Sequence, residues 1–423
     1  MPVQIIVVDD DPLVGGLTLE LLIDAGYSAR LVSDSRKAQD IIKAEKPGLV
    51  ILDILMPGLD GLTLLHRLKS DPETATIRAI IVSGKSFEAE KQRALQYGAE
   101  VFIEKPYDVD IFAQKVSEIL KKDGVETGKV ARPASAPAPI ARIELEAVVW
   151  GCRSTASAVS PAATRYGTHT SCVSVETPSH MFVFDAGSGI SLLGKDLIKS
   201  GKHKELWLFL THFHHDHVEG LADFPCARDQ NYTLHISGAN EPDQTLEQAL
   251  QAAFAPGLGD MMPAAKIELY ELMEQTYEIL PGVHLGAFYA NHPGTTLAYI
   301  LQTEGRKIVY CPDSELYGEY ATALQDYDEK IGALCRGADL MFHDGRYTAE
   351  DHKKNRNSGH SSFLAAVDFA GKNLVKTLVL VHQDDSYSDD VLDRMGQDAQ
   401  ARVDEKGYKL RVVLGREGLR MTA

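Results

Sequence analysis

The sequence predicts two α/β units in tandem: a doubly wound, five-stranded parallel sheet over residues 1–122 and a layered unit with two sheets over residues 143–423. Three observations carry this. Short apolar runs alternate with helical patterns through the first unit, the signature of parallel strands with crossover helices. An Ala/Pro alternation, Arg132-Pro133-Ala134-Ser135-Ala136-Pro137-Ala138-Pro139, interrupts the chain within residues 123–142 and reads as an extended linker, because it cannot build a core. Beyond it, strands and helices mix over the rest of the chain, with polar residues recurring where apolar strands stop.

In the first unit the strands are Ile5-Ile6-Val7-Val8, residues 29–32, Leu49-Val50-Ile51-Leu52, residues 79–82 and Val101-Phe102-Ile103. Helical patterns over residues 12–25, 35–45, 62–69, 88–97 and 111–121 follow them in turn. Ligands of such sheets bind at the carboxyl ends of the strands. Those ends carry Asp9 and Asp10, then Asp53, Ser83 and Lys105. Three carboxylates together repel unless a cation sits among them, and all-oxygen ligation suits Mg2+. Asp53 is then a candidate nucleophile toward a phosphoryl donor. Ser83 offers a hydroxyl to the new phosphate, and Lys105 its counter-charge.

With Val7-Val8-Asp9-Asp10, the run from Leu52-Asp53 through Leu55-Met56-Pro57-Gly58 to Asp60-Gly61, Val82-Ser83-Gly84 and Glu104-Lys105-Pro106, residues 3–121 resemble the receiver domain of two-component response regulators. The resemblance implies a phosphoprotein in which Asp53 accepts phosphate from a cognate histidine kinase. It also implies that Asp9, Asp10, Asp53 and the Leu55 carbonyl hold Mg2+, and that Phe102 stands at a switching position. A receiver kept only as a dimerisation module is the alternative, and every chemical residue is present.

Composition narrows the partners. A net charge of −17 opposes broad electrostatic binding to nucleic acid or anionic lipid. No apolar run is long enough to span a bilayer, and no signal peptide is visible at the N-terminus, so a cytoplasmic location and no membrane partner are expected. Five scattered cysteines without a C-x-x-C pair read as small buried residues, not as a disulfide framework.

The second unit opens with a strand over residues 143–150, a hairpin over 171–176 and 181–184, and the buried strand Leu206-Trp207-Leu208-Phe209-Leu210. That strand delivers Thr211-His212-Phe213-His214-His215-Asp216-His217 to one loop. Three imidazoles and a carboxylate at H-x-H-x-D-H spacing suit zinc, and they exceed what one ion with an open position needs. Strands follow over 283–290, 296–301, 307–310, 340–342 and 378–381, with helices over 245–254, 361–371 and 389–403. His292, Asp313 and His382 each sit just past an apolar strand. Together these seven residues can fill two neighbouring metal sites, where two divalent ions acidify a bridging water and clamp an oxyanion.

These segments, with Asp185-Ala186-Gly187, His343-Asp344-Gly345-Arg346-Tyr347-Thr348 and Gly359-His360-Ser361-Ser362, resemble the metallo-β-lactamase superfamily over residues 145–415, and its ribonuclease Z-like and phosphodiesterase-like branch most closely. The resemblance implies an αββα sandwich. It implies that His212, His214 and His292 hold one zinc, that Asp216, His217 and His382 hold the other, and that Asp313 bridges them. Asp185 would orient a ligand histidine. His360 would face the scissile phosphate and act with Asp216 and Asp313 in catalysis, with His343 and Asp344 as weaker supporting candidates. His169 departs from the family pattern and carries no role over, while His215, where relatives tend to have an aromatic, would widen or charge the mouth of the site. His214 stands where the oxygen-reducing di-iron branch has Glu, which favours zinc and hydrolysis, with Mn2+ or Fe2+ as alternative metals.

The expected protein is a phosphorylation-regulated response regulator whose output is a di-zinc hydrolase. It would cleave a small phosphodiester of cyclic nucleotide or dinucleotide type with a metal-bridged hydroxide, and a homodimer is one state the phosphorylated receiver would reach. Two alternatives remain open: a thioesterase- or lactonase-type hydrolase on the same metals, and a metal-stabilised binding module without turnover. Residues 238–278 read either as an apolar cap over the site or as a surface excursion.

Overall fold

The structure, a computed structural model, describes residues 3–10, 12–54, 56, 59–83, 88–104, 109–121, 145–154, 165–258, 263–318 and 327–423. The chain divides into two compact units, Met1–Pro139 and Ile140–Ala423. The linker expected over residues 123–142 lies outside the described residues, as do Leu55 and Lys105.

The first unit runs β1 (Ile5–Val8), α1 (Pro12–Asp24), β2 (Ala29–Val32), α2 (Ser35–Glu45), β3 (Leu49–Asp53), α3 (Gly61–Ser70), β4 (Arg78–Ser83), α4 (Glu88–Gln96), β5 (Val101–Glu104) and α5 (Val109–Lys121). Its sheet has the order β2-β1-β3-β4-β5 and every pairing is parallel. Alternate residues feed two cores. Ile6, Val8, Val50, Leu52 and Ile81 pack on one face, and Ile5, Val7, Leu49, Ile51, Ile80 and Val82 on the other. A sheet covered on both faces needs continuous apolar strands, which explains why these runs do not alternate in polarity.

The second unit opens with β6 (Glu146–Gly151), β7 (Cys172–Glu176), β8 (Met181–Phe184), α6 (Ile190–Ser200), β9 (Glu205–Phe209), α7 (His215–Val218), β10 (Thr233–Gly238), α8 (Leu246–Leu258) and β11 (Lys266–Glu271). It continues through β12 (Gln275–Leu280), β13 (Val283–Tyr289), β14 (Leu297–Thr303), β15 (Arg306–Cys311), α9 (Tyr327–Cys335), β16 (Leu340–Asp344), α10 (Ala349–Lys354), α11 (Phe363–Lys372), β17 (Thr377–Val381), α12 (Asp389–Lys406), β18 (Arg411–Leu414) and β19 (Arg420–Thr422). Two seven-stranded sheets result, ordered β11-β10-β9-β8-β7-β6-β19 and β12-β13-β14-β15-β16-β17-β18.

The layers are those of an αββα sandwich. Val149, Val173, Phe182, Phe184 and Phe209 of the first sheet share one core with Leu285, Tyr299, Tyr310, Phe342 and Val379 of the second. The opposite face of the first sheet, Met181, Val183, Leu206 and Leu208, is covered by Ile190, Leu193 and Leu197 of α6 and Leu246 and Leu250 of α8. On the second sheet, α11 packs against β16 and β17, and α12 against β18. All five cysteines are buried and unpaired. Among the described residues, no helix is long and apolar enough to cross a membrane.

The region expected as a cap or excursion over 238–278 is largely sheet. It supplies α8, and then β11 pairs parallel with β10 and β12 antiparallel with β13, so each of its two strands closes one sheet at an edge. Residues 259–262 within it lie outside the described residues. The helix expected over 245–254 extends to Leu258, and the opening strand begins at Glu146.

Candidate metal centre

Strand direction builds the site. β8 pairs parallel with β9, and β15, β16 and β17 are mutually parallel. β13 is antiparallel to β14, which is antiparallel to β15, so β13 and β15 run the same way. The residues just past these strands are Asp185, the 211–217 segment, His292, Asp313 and His382, with Asp344 the last residue of β16. Two of them hold uncommon backbone. Asp185 and His382 have φ of 59° and 61°, a left-handed conformation that side chains with a Cβ adopt infrequently.

The seven expected ligands converge. His212 Nε2 lies 2.8 Å from His214 Nδ1, and His292 Nε2 lies 3.3 Å from that same atom. His217 Nε2 lies 3.3 Å from Asp216 Oδ2 and 3.1 Å from Asp313 Oδ2. His382 contributes both ring nitrogens, Nε2 at 3.3 Å from Asp216 Oδ2 and Nδ1 at 3.2 Å from Asp313 Oδ1. Asp313 Oδ1 is also 3.9 Å from His292 Nε2, so this carboxylate touches both groups of histidines. The sets His212–His214–His292, His212–His217–Asp313 and Asp216–His217–His382 each bring three ligand atoms within reach of one ion.

The far nitrogens explain how the near ones are aimed. His217 Nδ1 donates to Asp185 Oδ2 at 2.7 Å, which leaves a lone pair on Nε2. His292 Nδ1 donates to the Gly359 carbonyl at 2.9 Å, with the same effect. His212 Nδ1 meets Thr211 Oγ1 at 3.0 Å. Gly359 must stay bare: its φ is +83°, and a Cβ there would lie 2.6 Å from His292 Nδ1.

A divalent cation fits this donor set. With Nδ1 donating to Asp185, His217 Nε2 faces Asp313 Oδ2 as one acceptor against another, and neither buried atom has a hydrogen-bond partner among the described residues. Such a pair repels unless a proton or a metal ion lies between. Burial opposes charge on His217, yet the carboxylates of Asp313, Asp216 and Asp185 outweigh it and hold its pKa well above the usual value. That is the direction expected where the cluster seeks positive charge. Burial pushes His212 well below its usual value, lowers His292, and takes His382 down to about 4, so these three present neutral nitrogens at neutral pH.

Asp185 is wholly buried and collects four donors: Thr211 N at 2.8 Å, Thr211 Oγ1 at 2.9 Å, His217 Nδ1 at 2.7 Å and Tyr310 Oη at 2.9 Å. An amide at this position could not accept them all and would put an N–H among them. Asp185→Asn is therefore expected to weaken metal affinity about 10- to 100-fold. Competition with a chromophoric chelator measures this, and an unchanged affinity would remove Asp185 from the supporting role.

His360 stands beside the cluster. Its Nδ1 donates to Asp344 Oδ2 at 2.8 Å and is 3.7 Å from Asp313 Oδ1. Its Nε2 is 3.0 Å from Arg346 Nη1. Arginine has no acceptor, so Nε2 receives and the imidazole proton is on Nδ1. Burial disfavours a second proton on His360, but Asp344 and Asp313 outweigh it and raise its pKa, with Arg346 opposing them.

The remaining candidates separate. His343 is buried against Phe369, with Nδ1 on the Asp344 carbonyl; among the described residues its Nε2 has no partner and it is in none of the converging sets. His169 is held by Glu417 Oε1 at 2.9 Å. His215 is 78% exposed and 3.1 Å from Glu219 Oε2. Thr211, Tyr310, Glu315 and Arg346 carry contacts at the site that sequence reasoning passed over. Tyr310 had a signal, because a tyrosine inside an apolar strand needs a partner for its hydroxyl. Glu315 accepts from the backbone N–H groups of Asn357 and Gly359 at 2.9 and 3.0 Å, fixing the loop that aims His292 and His360.

In the first unit, register aligns the expected residues. Val8 pairs with Leu52, Asp53 with Val82, and Ser83 with Glu104, so Asp9, Asp53 and Ser83 line the carboxyl edge of the sheet. Asp9, Asp53 and Ser83 are buried, and Asp10 is partly so. Gly61 is placed so close that a Cβ would lie 1.9 Å from the Asp53 carbonyl oxygen. Phe102 is buried in the core of α2, α3 and α4 residues.

Two family models match the chain. Residues 5–135 match the response regulator receiver domain, and residues 180–383 match the beta-lactamase superfamily domain. Response regulator MprA of Mycolicibacterium vanbaalenii is 32% identical over 128 residues, 30% of this chain and 54% of that protein. The chain spans about half the length of the first curated relatives it matches. Among solved structures, the metallo-beta-lactamase fold protein YhfI of Bacillus subtilis is 18% identical with a TM-score of 0.49, covering 66% of this chain and 100% of that one. Human tRNase Z, short form, is 19% identical with a TM-score of 0.47, covering 65% and 98%.

Proposed function

We propose, from a chain that joins a response regulator receiver domain to a beta-lactamase superfamily domain, that the second unit is a zinc-dependent phosphodiester hydrolase governed by phosphorylation of Asp53 in the first. The observation that carries the reading is the convergence of five histidines and two aspartates from separate strand ends, with the His360 imidazole beside them. His212, His214 and His292 would hold one Zn2+, Asp216, His217 and His382 the other, with Asp313 shared. When bound, the ions supply Lewis acidity toward a water and toward a phosphoryl oxygen.

The chain's own residues do the rest. Asp185, through Thr211 and His217, and Gly359, through His292, fix the ring orientations before substrate arrives. Asp344 holds one His360 proton at Nδ1; once Arg346 no longer donates to it, Nε2 would take the proton released by the attacking water, with Asp344 balancing the charged ring, and pass it to the leaving oxygen. In the first unit, Asp53 would take the phosphoryl group from a histidine kinase, with Asp9 and Asp10 as its Mg2+ partners and Ser83 at the neighbouring strand end. A small cyclic nucleotide or dinucleotide suits an acidic signalling protein, since −17 net charge opposes longer nucleic acids.

The zinc-loaded full chain is expected to hydrolyse bis(p-nitrophenyl) phosphate, and His360→Ala to reduce that rate by about 10²–10⁴-fold. No turnover, with or without a phosphoryl mimic at Asp53, would count against the reading. A normal rate in His360→Ala would take His360 out of it.

A further inference from the structure

The mechanism above leaves Arg346, a largely covered cation beside His360, without a role toward the substrate. Arg346, two residues past the end of β16, has only 17% of its side chain exposed. Its backbone N–H donates to Asp344 Oδ1 at 2.9 Å, its Nε donates to Asp384 Oδ2 at 3.2 Å, and its Nη1 donates to His360 Nε2 at 3.0 Å. Its Cζ also lies 5.2 Å from the centroid of the Tyr347 ring. Of the five N–H groups of a guanidinium, these contacts use two, and among the described residues the other three have no acceptor. Nη2 in particular makes no hydrogen bond there.

The surrounding charges do not explain this. Asp384 Oδ1 is occupied by Ser386 N at 3.1 Å as well as the Ser386 hydroxyl. Asp344 Oδ2 is occupied by His360 Nδ1 at 2.8 Å and Ser314 N at 3.3 Å. The guanidinium is thus tethered at one corner and propped on an imidazole that itself sits 4.8 Å, ring to ring, from His292 and 5.0 Å from His382. A planar fork with free N–H pairs, fixed next to a candidate metal cluster, is suited to a tetrahedral oxyanion.

We propose that Arg346 is a substrate-binding residue, forming with His360 a subsite for a non-bridging phosphoryl oxygen and so selecting phosphorylated over neutral substrates. This deepens the phosphodiesterase reading and rests on it for the reaction, though not for anion binding. On arrival the phosphoryl oxygen accepts from the free guanidinium N–H groups. Arg346 also occupies His360 Nε2, so a turn of the guanidinium toward the bound anion would free that nitrogen to face the substrate and couple anion recognition to availability of the imidazole.

The test uses the zinc-loaded full chain and three variants, Arg346→Gln, Arg346→Lys and Asp384→Asn. Inorganic phosphate is titrated calorimetrically, and kcat and KM are measured for bis(p-nitrophenyl) phosphate and for neutral p-nitrophenyl acetate. Arg346→Gln is expected to weaken phosphate binding about tenfold or more, and to lower the preference for the anionic substrate by a similar factor through KM. Arg346→Lys should recover part of that loss, since it keeps the charge without the fork. Asp384→Asn, which loosens the tether, should fall between native and Arg346→Gln. Metal content and thermal unfolding are followed in each. Native phosphate affinity and native selectivity in Arg346→Gln would overturn the proposal. Should that variant not fold, native values in both Arg346→Lys and Asp384→Asn would overturn it. If even the native chain leaves the diester intact, the hydrolase reading fails, and phosphate affinity across the variants still decides the role of Arg346.

Discussion

Asp313→Ala is expected to abolish hydrolysis and to remove at least one equivalent of metal per chain. No other carboxylate in the cluster reaches both groups of histidines: Oδ2 lies 3.1 Å from His217 Nε2, while Oδ1 lies 3.2 Å from His382 Nδ1 and 3.9 Å from His292 Nε2. Burial alone would raise its pKa, but His382 and His217 outweigh burial and hold the carboxyl well below the usual range. The surroundings therefore favour its anionic form, and its loss leaves five imidazoles balanced only by Asp216 at the ligand atoms. The activity loss should exceed the ~10- to 100-fold that follows removal of an outer hydrogen-bond partner, such as Asp185. Elemental analysis after gel filtration separates the two effects: a variant that keeps two equivalents of zinc and turns over as native does would sink the shared-ligand assignment.

The convergence of the His/Asp cluster was foreshadowed because its residues share one local signal, a polar side chain soon after an apolar run. The strands bring those ends together wherever they run in the same direction, so the seven could be chosen before any geometry was known. His360 and Asp344 were visible as motif residues, but their pairing at 2.8 Å depends on the end of β16 meeting the loop before α11, which no spacing rule encodes. Arg346 was legible only as a letter in His343-Asp344-Gly345-Arg346-Tyr347-Thr348. Its fork turns toward His360 because Asp384, reached from the turn after β17, pulls on Nε.

The edge strands β11 and β12 failed for a different reason. Their residues are exposed or only partly buried, so a two-residue period is weak, and Met and Pro residues nearby suggested a cap. The five parallel strands of the first unit succeeded because burial on both faces leaves little room for polar residues.

In the first unit, Asp53→Asn is expected to eliminate phosphoryl incorporation from acetyl phosphate in the presence of Mg2+, read by intact mass. Aspartate is the nucleophile because a carboxylate oxygen can form an acyl phosphate and an amide cannot. The structure supplies the reason for singling out Asp53 among the acids. It ends β3, the central strand, and its register partner Val82 places Ser83 one residue further along β4. Asp9, one residue past Val8, arrives on the other side, where Val8 pairs with Leu52. The central acid is thus flanked by a carboxylate that can share a cation and by a hydroxyl that can meet the product. Phosphorylation adds roughly 1.5 to 2 negative charges at this edge, and the hydrolytic rate of the second unit is expected to change when it does. If Asp53→Asn took up phosphate to the native extent, the acceptor would lie elsewhere. If native protein were phosphorylated at Asp53 with no change in diester turnover, regulation of the hydrolase by the receiver would be the part to discard.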